Sequence, residues 1–151
     1  MNLHDLDQLI EAFYATISGP AGSQDWERAK LLFHPDARLV RTRLDGQGQP
    51  AAFSFSVEGY REATMPLLAD IDFYEAEIAR RTVRFGNIAQ LFSAYEAYDR
   101  PAGGRLLKRG MNLIQLFDDG RRWWIMHVIW DDEREGVKLP REIFDGRSDV
   151  G

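Results

Sequence analysis

The sequence contains no cysteine, which excludes disulfide bonds, thiol catalysis and metal sites built from thiolates. It also has no apolar run near the roughly 20 residues that a helix needs to span a bilayer. Lys and Arg number 19 against 24 Asp and Glu and form no basic stripe, so we expect neither nucleic acid nor a membrane surface as a partner. The opening "MNLHDLDQLI" lacks a basic region followed by an apolar run, so we expect a cytoplasmic protein without a signal peptide.

Motifs for cofactors and metals are missing as well. The three histidines, His4, His34 and His127, are scattered and do not have the spacing of metal ligands. No phosphate-binding loop, nucleophile elbow or dinucleotide fingerprint is present. We therefore expect no cofactor and no metal.

Helical periodicity dominates the first half of the chain. The segment "LHDLDQLIEAFYATIS" places apolar residues at helical spacing after a plausible N-cap, Asp5. Two more helices are predicted from "QDWERAKLLF", with Ser23 or Asp25 as its cap, and from "VEGYREATMPLLADI", kinked or ended near Pro66. Between them, "HPDARLVRTRL" and "AAFSFSV" alternate as strands around the turn "DGQGQP".

The second half alternates with the period of strands. Four strands are predicted over 73–85, 87–99, 105–117 and 121–133, followed by a tail with one short helical turn. Helices first and a meander after them indicate an α+β fold, with the helices packed on one face of a curved, mainly antiparallel sheet. We expect one domain over residues 1–145 and a disordered tail over 146–151.

The turns between strands predict which side chains share a face. A two-residue turn at Asp119 and Gly120 would pair Gln115 with Trp124, Leu113 with Met126 and Arg109 with Trp130. A symmetric loop over 101–104 would pair Arg109 with Glu96 and Leu113 with Phe92. We therefore expect the helix-covered face to carry Phe92, Glu96, Arg109, Leu113, Gln115, Trp124, Met126 and Trp130.

The opposite face is also apolar by this register. It would carry Ile114, Leu116, Ile125, His127 and Ile129. A sheet that is apolar on both faces has to be covered on both, and the chain is too short to do so by itself. A homodimer through the outer sheet face is therefore expected.

Two motifs carry a family resemblance that covers almost the whole chain. The run "FHPDARLV" after two helices, together with "DDGRRWWIMHVIW" at the end of the meander, resembles the nuclear transport factor 2-like superfamily, in particular its bacterial SnoaL-like and ketosteroid-isomerase-like branches. The resemblance implies a cone-shaped half-barrel with a pocket between the sheet and the helices. Members of that superfamily include isomerases, dehydratases, cyclases, epoxide hydrolases and binding proteins, so the fold does not choose among them.

The isomerase pattern is only half retained. By this resemblance, Tyr14 occupies the place of the oxyanion tyrosine and Trp130 that of the pocket tryptophan. Arg41 stands where the general-base aspartate is expected, and Leu113 stands where the acid partner is expected. Because both acid–base carboxylates are missing, the resemblance argues against steroid-type isomerisation by that mechanism.

The leading expectation for function is a protein that binds a small, mostly apolar molecule with one polar or anionic group. Its walls would be Phe92, Leu113, Trp124, Met126 and Trp130, and its polar contacts would come from Tyr14, Arg41, Glu96, Arg109 and Gln115. Arg109 is the principal candidate, either as an anion receptor or as the structural partner of Glu96. Two alternatives stay open: a SnoaL-like or dehydratase-type enzyme using Tyr14 with Glu96 or Asp36 as base, and an interaction module whose pocket is filled by its own side chains.

Overall fold

A computed structural model describes residues 1–145 of the chain; the predicted disordered tail lies outside the described residues. Three helices, α1 (Leu6–Ile17), α2 (Trp26–Lys30) and α3 (Val57–Leu68), pack against one six-stranded sheet. The strands are β1 (Phe33–Leu44), β2 (Pro50–Phe55), β3 (Tyr74–Phe85), β4 (Ile88–Tyr98), β5 (Leu106–Asp118) and β6 (Trp123–Asp132), and a 3-10 turn follows at Arg141–Phe144. The predicted α+β class is confirmed. No helix within residues 1–145 is long and apolar enough to cross a membrane.

Side-chain caps start all three helices, and Asp5 and Asp25 were predicted as caps of the first two. Asp5 accepts from the backbone N–H groups of Asp7 and Gln8, and Asp25 accepts from that of Arg28. Ser56 caps α3 in the same way. These oxygens satisfy N–H donors that a first helical turn leaves unpaired. The third helix runs two residues beyond Pro66 and ends at Leu68.

The sheet has the order β2-β1-β6-β5-β4-β3, and all of its pairs are antiparallel except β1 with β6. The predicted register between β4 and β5 is confirmed, because Glu96 lies opposite Arg109 and Phe92 opposite Leu113. The parallel pair places the middle of β1 beside the end of β6, with Arg41 opposite Trp130.

The predicted register between β5 and β6 is wrong, for two reasons. First, the connection is longer than two residues: Asp118 pairs with Trp123, and the Asp119 carboxylate holds the backbone N–H groups of Arg121 and Arg122 inside the loop. Second, the register shifts between Gln115 and Leu116, where Met126 is the extra residue on β6. A bulge of one residue reverses the faces beyond it, so Gln115 pairs with His127 and Leu113 with Ile129.

Independently of this register, the helices cover the face of β4 and β5 opposite to the predicted one. This inner face carries Trp123, Ile125, Ile114, Leu116 and Leu91, all at most 2% exposed. Its surface is the more apolar of the two, which is why the helices pack there. The outer face carries Phe92, Glu96, Arg109, Leu113, Gln115, Trp124 and Met126. Of the residues expected to form a dimer surface, Ile114, Leu116 and Ile125 are buried in the core, while His127 and Ile129 do lie on the outer face.

Candidate functional site

A pocket lies between the inner face of the sheet and the three helices. Its volume is about 340 Å³, within the size range of small-molecule sites. Aromatic rings form much of its wall: Tyr60 packs edge-on against Trp130 at 5.7 Å between ring centres and against Trp26 at 6.0 Å. The side chains of the chain leave this space open, which argues against the expectation of a filled pocket.

One end of the pocket holds a carboxylate beside a lysine. Glu75, at the start of β3, has a side chain only 10% exposed, and its Oε2 lies 3.9 Å from Lys108 Nζ. The same ammonium lies 3.9 Å from Asp132 Oδ1 and over the rings of Phe73 and Tyr95. Burial raises the pKa of Glu75 to about 7; Lys108 opposes this shift and Asp132 adds to it. Glu75 is therefore able to gain or lose a proton near neutral pH.

Asp132 is tied into the sheet by Tyr95. The Tyr95 hydroxyl donates to the Asp132 carboxylate and to the carbonyl of Asp131, crossing β5 at Gly110. A Cβ at Gly110 would collide with that hydroxyl and with the Asp131 carbonyl. Burial and the Asp132 charge raise the pKa of Tyr95, so its hydroxyl keeps its proton. Because Gly110 has no side chain, Tyr95 is able to reach Asp132 and hold its carboxylate beside the Lys108 ammonium.

Tyr14 reaches the pocket only through another side chain. Its hydroxyl accepts from Asn112 Nδ2 at 3.0 Å and lies 2.7 Å from Ser93 Oγ, which in turn donates to Glu77. Because Ser93 gives its own proton to Glu77, it accepts the proton of Tyr14, and the chain of hydrogen bonds has one direction. Burial raises the pKa of Tyr14. The tyrosine therefore orients Asn112, which lines the pocket.

The far end of this chain is anchored at the surface. Arg80 Nη2 lies 2.9 Å from Glu77 Oε1, and its Nη1 lies 2.6 Å from Asp7 Oδ1 on the first turn of α1. The half-buried carboxylate of Glu77 is thus paired as well as hydrogen-bonded, which is the condition under which a charge persists when partly removed from water. The anchoring fixes Ser93, Tyr14 and Asn112 in turn.

A third polar group lies on the β1 side of the pocket. Arg41 and Thr64 both line it, and Arg41 Nη2 donates to Thr64 Oγ1 at 3.3 Å. Burial and the charge of Glu75 raise the pKa of the neighbouring Tyr60 to about 12, while Thr64 and Arg41 lower it. A guanidinium and two hydroxyls thus converge from β1 and α3.

Of the ten predicted ligand residues, two line the pocket and one lies behind it. Arg41 and Trp130 are in the wall, and Tyr14 is behind Asn112. The expected inward position is wrong for the other seven, which share one face as predicted but lie outside because the helices cover the opposite face of the sheet: Phe92, Glu96, Arg109, Leu113, Gln115, Trp124 and Met126.

Arg109 lies on the outer face and contacts Glu96 and the C-terminal 3-10 turn. Its Nε lies 3.6 Å from Glu96 Oε2, and its guanidinium lies 5.8 Å from the ring centre of Phe144 in the C-terminal 3-10 turn. The predicted pairing with Glu96 is confirmed, but the stacking on Trp130 is wrong, since Trp130 points to the other face. Trp124 stabilises the β5–β6 loop instead, because its indole N–H donates to Asp119 and Arg122 stacks on its ring.

Sequence reasoning missed Glu75, Lys108, Asn112 and Tyr60. Phe73, just before β3, and Glu75 and Glu77 within it alternate on one face, and this pattern was available in "FYEAEIARR". The pattern did not say which face the helices cover, because alternation along a strand shows only which residues share a face. In the described residues, no group of three or more His, Asp or Glu side chains is placed to hold a metal ion.

Comparison with known proteins identifies the fold. No family model and no curated protein matches the chain. Solved structures do: a variant of Rv3472, a protein of unknown function from Mycobacterium tuberculosis, matches with a TM-score of 0.67 and 17% identity over 93% of this chain and 78% of that one. A protein of unknown function with a cystatin-like fold from Nostoc punctiforme gives 0.65 and 15%, over 88% and 96%.

A third solved structure carries the family description in its name. It is a nuclear transport factor 2-like superfamily protein from Salmonella enterica, with a TM-score of 0.63 and 15% identity over 89% of this chain and 94% of that one. The chain has the nuclear transport factor 2-like fold, as the two sequence motifs predicted. At these identities the likeness defines the fold, and the activity has to be argued from the site.

Proposed function

We propose that the protein binds a small, mostly apolar molecule in its pocket and transfers a proton on it, as an enzyme of the isomerase or dehydratase type. The observation that carries this proposal is Glu75, a buried carboxylate with a pKa of about 7 facing an apolar pocket. A general base works best when its pKa lies near the working pH. The carboxylates first considered for this role are unsuitable: Glu96 lies on the outer face, and Asp36 is exposed.

The chemistry follows from the neighbours of Glu75. Its carboxylate takes a proton from a carbon of the substrate, and the electron pair of that bond stays on the substrate. The ammonium of Lys108, 3.9 Å from Glu75, stabilises the negative charge that develops. Glu75 then returns the proton, either to a different carbon, which isomerises the substrate, or to a departing hydroxyl, which releases water. Tyr14 contributes by holding Asn112 against the substrate.

The base can be tested before any substrate is known. The probe is 5-nitrobenzisoxazole, a small neutral aromatic molecule that opens when a base removes one C–H proton, with a coloured product. The wild type should open it with a rate that rises with pH around an apparent pKa of about 7. Glu75→Gln should lose on the order of 100-fold, a typical contribution of a general base.

A matched control separates this effect from a change of charge. Glu96→Gln makes the same substitution on the outer face and should keep the wild-type rate. A wild type without activity above buffer, or a Glu75→Gln variant as active as the wild type, would contradict the proposal.

We also propose that the protein forms a homodimer through the outer face of the sheet. The half-buried apolar side chains that share this face are Phe92, Met111, Leu113, Met126 and Ile129. Apolar surface exposed in this way on a sheet is a common basis for association of two copies about a twofold axis.

A further inference from the structure

The cations that face the pocket differ in their partners. Lys108 lies between two carboxylates, those of Glu75 and Asp132, and is neutralised by them. Arg41 also lines the pocket, yet no carboxylate of the described residues lies within 4.0 Å of its guanidinium. A half-buried cation without an anion is costly in an apolar wall. The absence of a carboxylate beside the Arg41 guanidinium therefore suggests that a bound ligand supplies the negative charge.

The surroundings of Arg41 are built to receive an anion. Arg41 has five N–H donors, and the bond to Thr64 at 3.3 Å is long. Thr64 is 4% exposed. The Tyr60 hydroxyl keeps its proton, since its pKa is about 12. These three side chains present N–H and O–H donors, and none of them brings a negative charge.

We infer that the ligand carries a carboxylate, and that Arg41 binds this carboxylate together with Thr64 and Tyr60. The planar guanidinium fork matches the two oxygens of a carboxylate. A phosphate dianion would need a second free cation beside Arg41 that is shielded from solvent; Lys108 is already paired, and Arg43, which also lines the pocket, is exposed. Arg43 lies at the exposed end of β1, over the ring of Phe53.

This inference deepens the proposed function and rests on it for the events at Glu75. Arg41 is on β1 and Glu75 on β3, and β6, β5 and β4 lie between them in the sheet. The negative charge of Glu75 disfavours a carboxylate at its own end. A substrate held by Arg41 would thus present its apolar body, and not its carboxylate, to the base.

The test compares acids with amides of the same shape. Calorimetric titration at about pH 8, where the acids are ionised, would use 3-phenylpropionate against 3-phenylpropionamide and cinnamate against cinnamamide. The wild type should bind each acid at least ~10-fold more tightly than its amide. Arg41→Met should remove this preference while keeping the binding of the amide, which also shows that the variant is folded.

Two further variants complete the test. Arg38→Met removes an arginine from the same strand, where it is exposed and bonded to Ser54, and should keep the preference of the wild type. Arg41→Lys keeps the charge without the fork and should weaken the acid alone, which provides a second reading if Arg41→Met does not fold. Equal binding of acid and amide by the wild type, no binding of either, or a preference that survives in Arg41→Met would each overturn the inference.

The two experiments distinguish a failure of the carboxylate inference from a failure of the proposed proton transfer. The benzisoxazole probe is neutral and reports on Glu75 alone. Its turnover without any preference for acids would overturn the carboxylate inference and leave the proton transfer standing. A preference for acids that depends on Arg41, without turnover, would do the reverse.

Discussion

Glu75 combines burial and charge at one residue, and this combination has a measurable effect on stability. Its pKa is about 7 in the folded protein against an ordinary value of 4.5. Between these values the folded state binds more protons than the unfolded state, so the stability that Glu75 contributes is lost as pH rises from 4.5 through 7. Above pH 7 both states are ionised, and the accumulated loss is on the order of 3 kcal/mol.

Glu75→Gln should remove this dependence on pH. We expect the free energy of unfolding of the variant to exceed that of the wild type more at about pH 8 than at about pH 4.5, because the amide carries no charge to bury. Urea unfolding of both proteins at the two pH values measures the difference. Parallel pH profiles for wild type and variant would contradict the burial of the charge.

The close approach of Tyr95 and β6 to Gly110 gives a second prediction for a single residue. A Cβ at this position would meet the Tyr95 hydroxyl and the backbone of β6. Gly110→Ala should therefore destabilise the protein by about 1–3 kcal/mol, the range for overpacking. Gly46, in the exposed loop between β1 and β2, has nothing within 4 Å of such a Cβ, so Gly46→Ala should be close to neutral in the same urea experiment. Equal stability of the two variants would contradict the close approach at Gly110.

At the scale of elements, the hairpin of β5 and β6 sets which side chains of β6 face the pocket. Asp119 organises its loop: its carboxylate accepts from the Trp124 indole and from two backbone N–H groups, and these bonds lower its pKa to about 2. Asp119→Ala should lower the melting temperature and shift the NMR resonance of the Trp124 indole N–H. Asp70→Ala, at an exposed position far along the chain, serves as the control. An unchanged indole resonance in Asp119→Ala would refute the role of this carboxylate.

The elements themselves could be predicted, while part of their register could not. Apolar spacing, caps at Asp5 and Asp25 and the turns gave every helix and strand to within a few residues. The β4–β5 register followed from a symmetric loop. The β5–β6 register failed because a side chain, Asp119, lengthens the loop, and because a bulge at Met126 leaves no mark in composition.

A second uncertainty, which face of the sheet the helices cover, explains which site residues were found. Arg41, Tyr14 and Trp130 were recognised because the family resemblance placed them, without need of the register. Glu75 and Lys108 were missed because a strand pattern says which residues share a face and not which face is covered. A single reversed face thus moved seven of the ten predicted residues to the outside of the sheet.

At the scale of the whole molecule, the outer face of the sheet is the surface through which we propose that two copies associate. A stable homodimer should bury at least ~1,000 Å² in total, which requires the centre of this face. Leu113, half-buried on β5, lies near that centre. Leu113→Glu should therefore shift the protein to a monomer in sedimentation, whereas Gln115→Glu, at an exposed position of the same strand, should change the association less. A wild type that sediments as a monomer at micromolar concentration would contradict the dimer.

The central claim is that the pocket holds a carboxylate that exchanges its proton near neutral pH. The most direct measurement is an NMR titration of the Glu75 side-chain carboxyl carbon, assigned by its absence in Glu75→Gln. We predict a midpoint near pH 7. A midpoint near the ordinary value of 4.5 would mean that the carboxylate is solvated, and would contradict both the site and the function built on it.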